Sequence, residues 1–296
     1  MRKKILVAGG TGFLGINLIK VLVKNKYQVT SLSSKKINKT KKIKKVRYIH
    51  CDISNYKKLK KKINNNFNIV INLSGNIDHN NKKQTRKTHF KGTKNLINII
   101  NKSNLKIFIQ IGSCLEYGRL PSPQQEIKNP KPISYYGKAK YEASKFLIKS
   151  NIKNYIILRL YQVYGPYQKK DRLIPQVIDS CLKNKKFSCS EGYQLRDFIY
   201  VNDFVQLIIK ILGFNKFSSG VYNIGSGNPI SVKKIINMIV KKIKKGKPEF
   251  GKIEMRKDEI VNLYPKLKKV RKELKWKSKI SLSEGLKKTI NFYAKN

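Results

Sequence analysis

The sequence predicts an α/β fold, in which a doubly wound parallel sheet is joined to a smaller mixed C-terminal lobe. Two observations predict this fold. Short apolar runs alternate with longer amphipathic stretches through the first half of the 296 residues. Several runs, such as residues 5–8, are apolar on both faces, as strands must be when helices cover each side of a sheet. This alternation builds right-handed strand–helix–strand units, which form a doubly wound sheet.

Each predicted element follows from its local pattern. The short apolar runs predict strands at residues 4–8, 28–32, 47–51, 69–73, 106–111 and 155–160. The amphipathic stretches between them predict helices at residues 13–24, 56–63, 91–102 and 135–149. Beyond Gly165-Pro166 the spacing becomes irregular. We therefore expect residues 1–165, with crossing segments from the C-terminal half, to form the sheet domain. Residues 166–296 are expected to form the smaller lobe, folded over the carboxyl edge of the sheet.

The composition is that of a folded protein with an unusual charge. Hydrophobic residues make up 40% and charged residues 28% of the chain, as in ordinary globular domains. Lysine and arginine number 66 against 16 acidic residues, so the formal net charge is +50. Such a charge attracts polyanions, but lysines spread over loops and helix exteriors are typical of a solvated surface. We expect no dedicated nucleic-acid binding, although the same field would favour a small anionic ligand.

Cysteine usage and hydropathy exclude several other classes. The four cysteines form no C-x-x-C pair, which argues against a disulfide scaffold and a zinc ribbon. With only three histidines besides, no metal site is expected, and a reducing, cytoplasmic location fits best. No uncharged apolar stretch approaches the roughly 18 residues that span a bilayer, so no membrane partner is expected.

A glycine-rich loop, Gly9-Gly10-Thr11-Gly12-Phe13-Leu14-Gly15, joins the first predicted strand directly to an amphipathic helix. In such a loop one glycine makes the tight turn, one lets the backbone approach a pyrophosphate, and one lets the helix pack closely on the strand. The N–H groups at the helix start then bind phosphates. A plain strand–helix turn also uses glycine, but the position directly after the first strand favours dinucleotide binding.

A tyrosine and a lysine lie four residues apart in a predicted helix. Tyr136 and Lys140 therefore share one helix face. A tyrosine is a poor base at neutral pH, but a nearby ammonium stabilises the phenolate. Ser113 follows the fifth predicted strand, where strand ends open into a crevice, and its hydroxyl can orient a substrate oxygen. These residue types suit acid–base chemistry on a hydroxyl or carbonyl.

Several motifs, in their order, resemble the extended short-chain dehydrogenase/reductase family, in its nucleotide-sugar epimerase/dehydratase branch. The resemblance covers nearly the whole chain. It implies a Rossmann-type dinucleotide-binding domain at residues 1–165 and a nucleotide-sugar-binding lobe at residues 166–296. The motifs that carry it are residues 9–15, Cys51-Asp52-Ile53, residues 91–96, Gly112-Ser113, Tyr136-Gly137-Lys138-Ala139-Lys140, Tyr164-Gly165-Pro166, residues 196–203, Trp276 and residues 282–286.

The resemblance implies which residues contact the cofactor and suggests which cofactor it is. The position that selects NAD when it holds an acid is Ser33, whose small side chain leaves room for a 2′-phosphate. Ser34, Lys35 and Lys36 can neutralise that phosphate. We therefore expect NADP, with NAD as the alternative. Asp52 matches the adenine contact, or it caps a turn. The implied cofactor-binding residues are Gly9, Thr11, Gly12, Phe13, Leu14, Gly15, Ser33, Ser34, Lys35, Asp52, Ile53, Leu73, Ser74, Gly75, Tyr136 and Lys140.

The family pattern also decides between two tyrosine–lysine pairs. Tyr136 is followed by Gly137, as in the family, and we assign it as the acid–base residue with Lys140 tuning it. Tyr141 and Lys145 have the same spacing, but they are expected to be a solvated helix pair.

The residues around the hydroxyl narrow the reaction. Ser113 is assigned as the orienting hydroxyl because it lies four residues before Tyr117-Gly118, as in the family. The next two positions hold an Asp-Glu pair in the family's dehydratases but Cys114 and Leu115 here, so a 4,6-dehydratase is not expected. The segment favours a 4-keto-sugar reductase, with a 4-epimerase using the same residues as the alternative. A non-catalytic NADP-sensing or RNA-binding relative is a remote alternative.

The implied substrate is a nucleotide-diphosphate sugar. Arg196 matches the family position that reaches it, and a guanidinium suits bidentate phosphate contacts. A surface ion pair with Asp171 or Asp197 is the alternative for Arg172 and Arg196. His89 and Gln162 stand where the family usually has asparagine. A homodimer is expected from the resemblance. The expected substrate-binding residues are Cys114, Gln162, Arg172 and Arg196.

Overall fold

The computed structural model describes residues 3–38, 42–63, 66–75, 81–255 and 259–295. The chain divides into two compact units. The first consists of residues 1–120, 126–160 and 209–222, and the second of residues 121–125, 161–208 and 223–296. The division of roles predicted at residue 165 stays a prediction.

Strands and helices alternate along the first unit, as the sequence predicts. The described residues of both units together form the following strands and helices. The strands are β1 (Lys4–Ala8), β2 (Gln28–Ser33), β3 (Val46–His50), β4 (Ile69–Asn72), β5 (Ile107–Ser113), β6 (Tyr155–Leu160), β7 (Gln162–Tyr164), β8 (Lys186–Ser188), β9 (Leu195–Tyr200), β10 (Gly220–Ile224), β11 (Pro229–Ser231), β12 (Lys247–Glu249) and β13 (Asn262–Leu263). The α-helices are α1 (Phe13–Lys24), α2 (Tyr56–Lys62), α3 (Lys82–Arg86), α4 (Gly92–Ile99), α5 (Tyr135–Ile148), α6 (Leu173–Leu182), α7 (Val201–Leu212), α8 (Val232–Ile243), α9 (Lys268–Glu273) and α10 (Leu282–Ala294).

The largest sheet has seven strands in the order β10-β6-β5-β4-β1-β2-β3. Strands β1 to β6 pair in parallel. In β1 the side chains of Ile5, Leu6 and Val7 are fully buried on both faces, which explains the uninterrupted apolar run. The strand order reverses between β1 and β4, and ligands of such sheets bind at the carboxyl ends of the strands beside that reversal. The predicted doubly wound parallel sheet is confirmed.

The main difference from the predicted elements concerns residues 82–99. The sequence predicts one helix at 91–102, and this start was wrong. The chain is already helical in α3, widens into a π-helix over Lys87–Lys91 and continues as α4. The first turns contain few apolar residues, so periodicity could not reveal them. Instead the Asn81 side chain starts the helix by accepting a hydrogen bond from the Gln84 N–H at 2.9 Å.

The second unit is built around β9. This strand pairs antiparallel with β11 and parallel with β7 and β13, while β8 and β12 form a separate parallel pair. Buried Asp203, in α7, accepts hydrogen bonds from the backbone N–H groups of Lys279 and Ile280 at 3.1 and 3.0 Å, and so fixes the segment that leads into α10. The predicted smaller lobe of mixed elements is confirmed. Among the helices within the described ranges, none is long and apolar enough to cross a membrane.

Candidate active site

The loop after β1 has the tight geometry of a dinucleotide-binding turn. Gly9 has a φ of +80°, and an added Cβ would lie 2.8 Å from the Leu73 carbonyl carbon, so only glycine fits there. Gly15, in the first turn of α1, approaches the loop so closely that a Cβ would lie 2.5 Å from the Cα of Gly10. The first turn of α1 therefore packs directly on the backbone of the loop that follows β1.

The start of α1 fits a bound pyrophosphate. No side chain caps the helix at Gly12, and a Cβ on Gly12 would meet only the Gly9 carbonyl oxygen, at 3.3 Å. The first N–H groups of a helix lack partners within the helix and bind phosphate oxygens well. Thr11, Phe13 and Leu14 lie in the same turn. This part of the chain thus leaves space and donors for the phosphates of a dinucleotide.

The last residue of β2 and the residues that follow it form a hydrogen-bonded turn. The Ser33 hydroxyl donates to the Lys35 carbonyl at 2.8 Å. A ring nitrogen of His50, the last residue of β3, lies 2.9 Å from the Ser34 carbonyl oxygen. The part of Ser33, Ser34 and Lys35 in cofactor choice stays a prediction.

The segment after β3 carries the predicted adenine contact. The Asp52 carboxylate accepts a hydrogen bond from the Ser54 N–H at 2.8 Å, which is the turn-capping role that the sequence left open. Ile53 is buried in the core, and its carbonyl accepts a hydrogen bond from the Asn95 side chain at 2.9 Å. The cofactor contacts of Asp52 and Ile53 stay predictions.

Residues 73–75, directly after β4, lie against both the end of β1 and the helix at residues 82–99. The Leu73 N–H donates to the Ala8 carbonyl at 2.9 Å, which continues the pairing of β1 and β4. The Ser74 N–H donates to the Asn72 side chain at 3.1 Å. A Cβ on Gly75 would lie 2.6 Å from the His89 ring, so a glycine at 75 makes room for that imidazole.

Ser113 is the last residue of β5, two residues beyond the predicted end of the strand. It is followed by a single 3₁₀ turn, Cys114–Tyr117. The Ser113 hydroxyl accepts a hydrogen bond from the Leu115 N–H at 3.2 Å, and the Glu116 carboxylate accepts one from the Ser113 N–H at 2.9 Å. This reciprocal capping box fixes the serine at the carboxyl end of the strand.

The first turn of α5, the helix that carries the tyrosine–lysine pair, packs against this 3₁₀ turn. Ser134 caps α5 by accepting a hydrogen bond from the Gly137 N–H at 3.1 Å. Gly137 packs on the Leu115 carbonyl oxygen so closely that any Cβ would collide with it. The glycine after Tyr136 therefore has a physical reason, because it lets the first turn of α5 lie against the turn that follows Ser113.

Lys140 reaches back from α5 to the same strand. Its ammonium donates to the Ile111 carbonyl at 2.8 Å and lies 5.8 Å from the centre of the Tyr136 ring. Only 4% of Lys140 is exposed. Burial lowers the pKa of Lys140 to about 8, and the Glu116 carboxylate opposes that shift. The His89 ring packs edge-on against Tyr136, with 5.0 Å between ring centres. Tyr136 and Lys140 thus lie together beside β5, while their catalytic roles stay predictions.

The second tyrosine–lysine pair lies on the other side of the helix surface. Tyr141 is half-buried and Lys145 is exposed. Tyr135 is also exposed and lies under the Lys82 ammonium, 4.6 Å from the ring centre.

Sequence reasoning missed a buried ionic network beneath the site. Glu116 and Arg159 are 0% and 2% exposed, and their side chains pair at 2.9 Å. The Arg159 guanidinium also lies over the Tyr117 ring, 4.4 Å from its centre. The available signal was Arg159 itself, a charged residue that directly follows the apolar run Ile156-Ile157-Leu158 in a predicted strand and needs a buried partner.

Three of the predicted substrate-binding residues lie in the second unit. Arg196, in β9, is buried; its guanidinium pairs with Glu259 and donates to the carbonyls of Leu195 and Val261 at 2.7 and 3.1 Å. The sequence left an ion pair with Asp197 open as an alternative, and that partner was wrong. Asp197 instead accepts hydrogen bonds from backbone N–H groups in the turn after β10. Gln162 begins β7, and Arg172 directly precedes α6.

The fourth predicted substrate-binding residue, Cys114, belongs to the first unit. It begins the 3₁₀ turn after Ser113 and is 3% exposed. Substrate contact by Cys114, Gln162, Arg172 and Arg196 stays a prediction.

Comparison with known proteins agrees with this architecture. Residues 5–225 match the model of the NAD dependent epimerase/dehydratase family, and the chain belongs to that family. A putative UDP-glucose 4-epimerase of Methanocaldococcus jannaschii is 30% identical over 99% of both chains. A CDP-abequose synthase of Salmonella muenchen is 26% identical over 98% of both. The crystal structure of a Thermotoga maritima UDP-glucose 4-epimerase with UDP-glucose matches 99% of both chains with a TM-score of 0.90 and 24% identity.

Proposed function

We propose that the protein is an NAD-dependent nucleotide-sugar 4-epimerase. The observation that carries the proposal is the buried Lys140 ammonium beside the Tyr136 ring, held to the strand that ends in Ser113. Two comparisons support it. The chain belongs to the NAD dependent epimerase/dehydratase family, and a relative that matches it over 99% of both chains is named a putative UDP-glucose 4-epimerase. The open helix start after Gly12 and the loop at residues 9–15 supply the cofactor cradle.

Tyr136, Lys140 and Ser113 have separate roles in the proposed acid–base chemistry. Bound NAD supplies hydride acceptance and return. The Tyr136 phenolate oxygen takes the proton of the sugar hydroxyl as that carbon is oxidised, and it returns the proton when the ketone is reduced. The Lys140 ammonium stabilises the phenolate. The Ser113 hydroxyl donates a hydrogen bond to the same sugar oxygen and orients it toward Tyr136.

NAD replaces the NADP expected from the sequence. That expectation depended on the missing acid at Ser33 alone. The family name specifies NAD, and an epimerase that returns the hydride to its substrate needs no external supply of NADPH. Glycine-loop and strand-end residues assigned to the cofactor are proposed to serve NAD in the same positions. The Ser33 side chain would then stand beside the ribose without a carboxylate to bind both hydroxyls.

Elimination of water is not part of the proposal. Cys114 and Leu115 occupy the positions that the resemblance assigns to an acid pair in dehydratases. The Glu116 carboxylate beside Ser113 is fully buried, and both its oxygens accept hydrogen bonds, from the Ser113 N–H, the Ser144 hydroxyl and Arg159. We therefore assign it no proton transfer with a substrate.

A 4-keto-sugar reductase is the second candidate, with the same three residues in the same roles. The hydroxyl side chain at Ser33, which leaves space for a 2′-phosphate, is the observation that favours it. A reductase would draw a new NADPH for each turnover, whereas an epimerase would recycle one bound dinucleotide.

One assay separates the two candidates. The purified protein is incubated with UDP-glucose and NAD, and in parallel with a UDP-4-keto-sugar and NADPH, while the absorbance of the reduced nicotinamide is followed. An epimerase forms the 4-epimer with no net change in absorbance. Stoichiometric consumption of NADPH with the keto-sugar, and no epimer from UDP-glucose, would establish the reductase instead.

A further inference from the structure

The Glu116 carboxylate takes no part in the proposed proton transfer, yet it lies at the base of the site. It is fully buried. One oxygen accepts a hydrogen bond from the Ser113 N–H at 2.9 Å, and the other accepts from the Ser144 hydroxyl at 3.0 Å and from the Arg159 guanidinium at 2.9 Å. Gly112 leaves the space that this carboxylate fills, since a Cβ there would lie 2.6 Å from its oxygen.

These partners belong to three different elements. Ser113 ends β5, Ser144 lies in α5 one turn beyond Lys140, and Arg159 lies in β6. The Lys140 ammonium joins α5 to β5 at a second point, the Ile111 carbonyl, two residues before Ser113. The Glu116 carboxylate and the Lys140 ammonium therefore fix the position of α5, which carries Tyr136, relative to β5, which ends in Ser113.

The charge of Glu116 also acts on Lys140. A buried carboxylate favours the protonated form of a nearby lysine, because opposite charges attract strongly where water is excluded. The pKa of Lys140 reflects this, since burial lowers it and Glu116 opposes the lowering. Arg159 from β6 and Tyr117 from the 3₁₀ turn face Glu116, while Tyr136 and His89 face one another beside Lys140. Of the groups named here, the Glu116 carboxylate is the one that raises the pKa of Lys140.

We propose that Glu116 is a positioning residue of the reaction, which fixes Ser113 against α5 and keeps Lys140 charged beside Tyr136. The role in the reaction rests on the proposed function. The structural part, the fixing of Ser113, can be measured without any substrate.

The test uses the double variant Glu116→Gln/Arg159→Met, which removes both buried charges and leaves an amide of the same shape to accept from the Ser113 N–H. Removing the Glu116 carboxylate alone would leave the Arg159 charge buried without a counter-ion. We expect the double variant to fold, to keep its KM for the sugar nucleotide within about twofold, and to lose roughly tenfold or more in kcat. The alkaline fall in kcat should move to lower pH, because Lys140 loses its stabilising carboxylate. The matched control is Glu142→Gln, a carboxylate of α5 in an exposed pair with Arg86.

A second measurement is independent of turnover. Amide hydrogen exchange of the peptide that contains Ser113 should be faster in Glu116→Ala/Arg159→Met than in the wild type or Glu142→Gln, because the Ser113 N–H has lost its acceptor. An unchanged alkaline limit in the double variant, or unchanged Ser113 exchange in the alanine variant, would overturn the proposal. If the wild-type protein turns over no nucleotide sugar, the proposed function fails, while the exchange experiment still decides whether Glu116 fixes Ser113.

Discussion

At the scale of single residues, burial sets the chemistry of Lys140. A lysine in water stays protonated well above neutral pH, but this one has lost most of its hydration beside β5. We predict that kcat falls as the pH rises through about 8, because the ammonium that stabilises the Tyr136 phenolate then loses its proton. The sign follows from the direction of the shift, since a lysine pKa lowered by burial brings deprotonation into a milder pH range. A pH–rate profile with saturating substrate checks it, and a kcat that stays level up to pH 10 would contradict it.

The assignment of the acid–base residue gives a second residue-scale prediction. Tyr136→Phe removes the phenol and keeps the ring that packs against His89, so the fold and dinucleotide affinity should be unchanged while kcat falls roughly 10²–10⁴-fold. Tyr141→Phe is the matched control, because it belongs to the second pair of the same spacing and should retain wild-type kcat. Steady-state assays and a dinucleotide titration of both variants decide it. A low kcat in the control with normal turnover in Tyr136→Phe would reverse the assignment.

Residue types and spacing predicted where part of this candidate site lies. The loop at residues 9–15 and the pair Tyr136 and Lys140 could be proposed because a dinucleotide cradle and an acid–base pair each need particular residues at fixed intervals, while the roles of these residues stay predictions. Glu116 could not be assigned, because its partners come from residues 113, 144 and 159, and no spacing along the chain encodes that meeting. Arg196 posed the same difficulty, since its partner Glu259 is distant in sequence.

At the scale of elements, the loop and helix after β1 depend on backbone contact. The predicted effect of Gly15→Ala is a loss of about 1–3 kcal/mol in the free energy of unfolding, because the added Cβ would overlap the Gly10 backbone at 2.5 Å. Dinucleotide affinity should fall as well, since the helix must move away from the loop that binds the phosphates. Denaturant unfolding and a dinucleotide titration measure both. Gly213→Ala, where the nearest atom to a Cβ is 3.4 Å away, serves as the control and should leave dinucleotide affinity unchanged.

The buried pair between β6 and the 3₁₀ turn gives the second element-scale prediction. Arg159→Met should destabilise the fold by about 3–5 kcal/mol, because the Glu116 charge is left buried without a counter-ion. The double variant with Glu116→Gln should recover most of that loss. Thermal or denaturant unfolding of the two variants tests the coupling, and equal destabilisation of both would show that the charges do not act as a pair.

The prediction of elements succeeded where one physical rule dominates. Strands β1 and β6 and helix α1 have the predicted bounds because burial on two faces and a 3.6-residue apolar period leave clear patterns. The helix at residues 82–99 was misjudged, because its first turns are polar and its centre is a π-helix. The Asn72 side chain in β4 anchors it instead by donating a hydrogen bond to the Thr93 hydroxyl at 2.9 Å, and that hydroxyl donates to the His89 carbonyl one turn earlier at 2.6 Å. A tertiary hydrogen bond such as that between Asn72 and Thr93 leaves no periodic trace.

At the scale of the whole molecule, the net charge of +50 should act on anionic ligands. NAD and a nucleotide-diphosphate sugar are both negative, so their affinity should weaken as added salt screens the protein's field. Calorimetric titration with NAD at low and high salt measures this, with uncharged adenosine as the reference ligand. An NAD affinity no more salt-dependent than that of adenosine would show that the lysines are electrostatically irrelevant to the site.

The predicted homodimer and the expected lack of nucleic-acid binding also belong to this scale. Light scattering of the purified protein measures the first, and a mass of one chain would refute it. A gel shift with RNA at rising salt measures the second. RNA binding that survives excess NAD and nucleotide sugar would favour the remote RNA-binding alternative.

In the proposed reaction, a hydride leaves C4 of a sugar and returns to the same carbon while Tyr136 moves the proton. The most direct measurement uses UDP-glucose deuterated at C4, with the wild-type protein and NAD in ordinary water, and mass spectrometry of the epimer formed. We expect the product to keep its deuterium, because the hydride never exchanges with solvent. Product in which C4 carries hydrogen from water would show direct deprotonation of that carbon and would rule out hydride transfer.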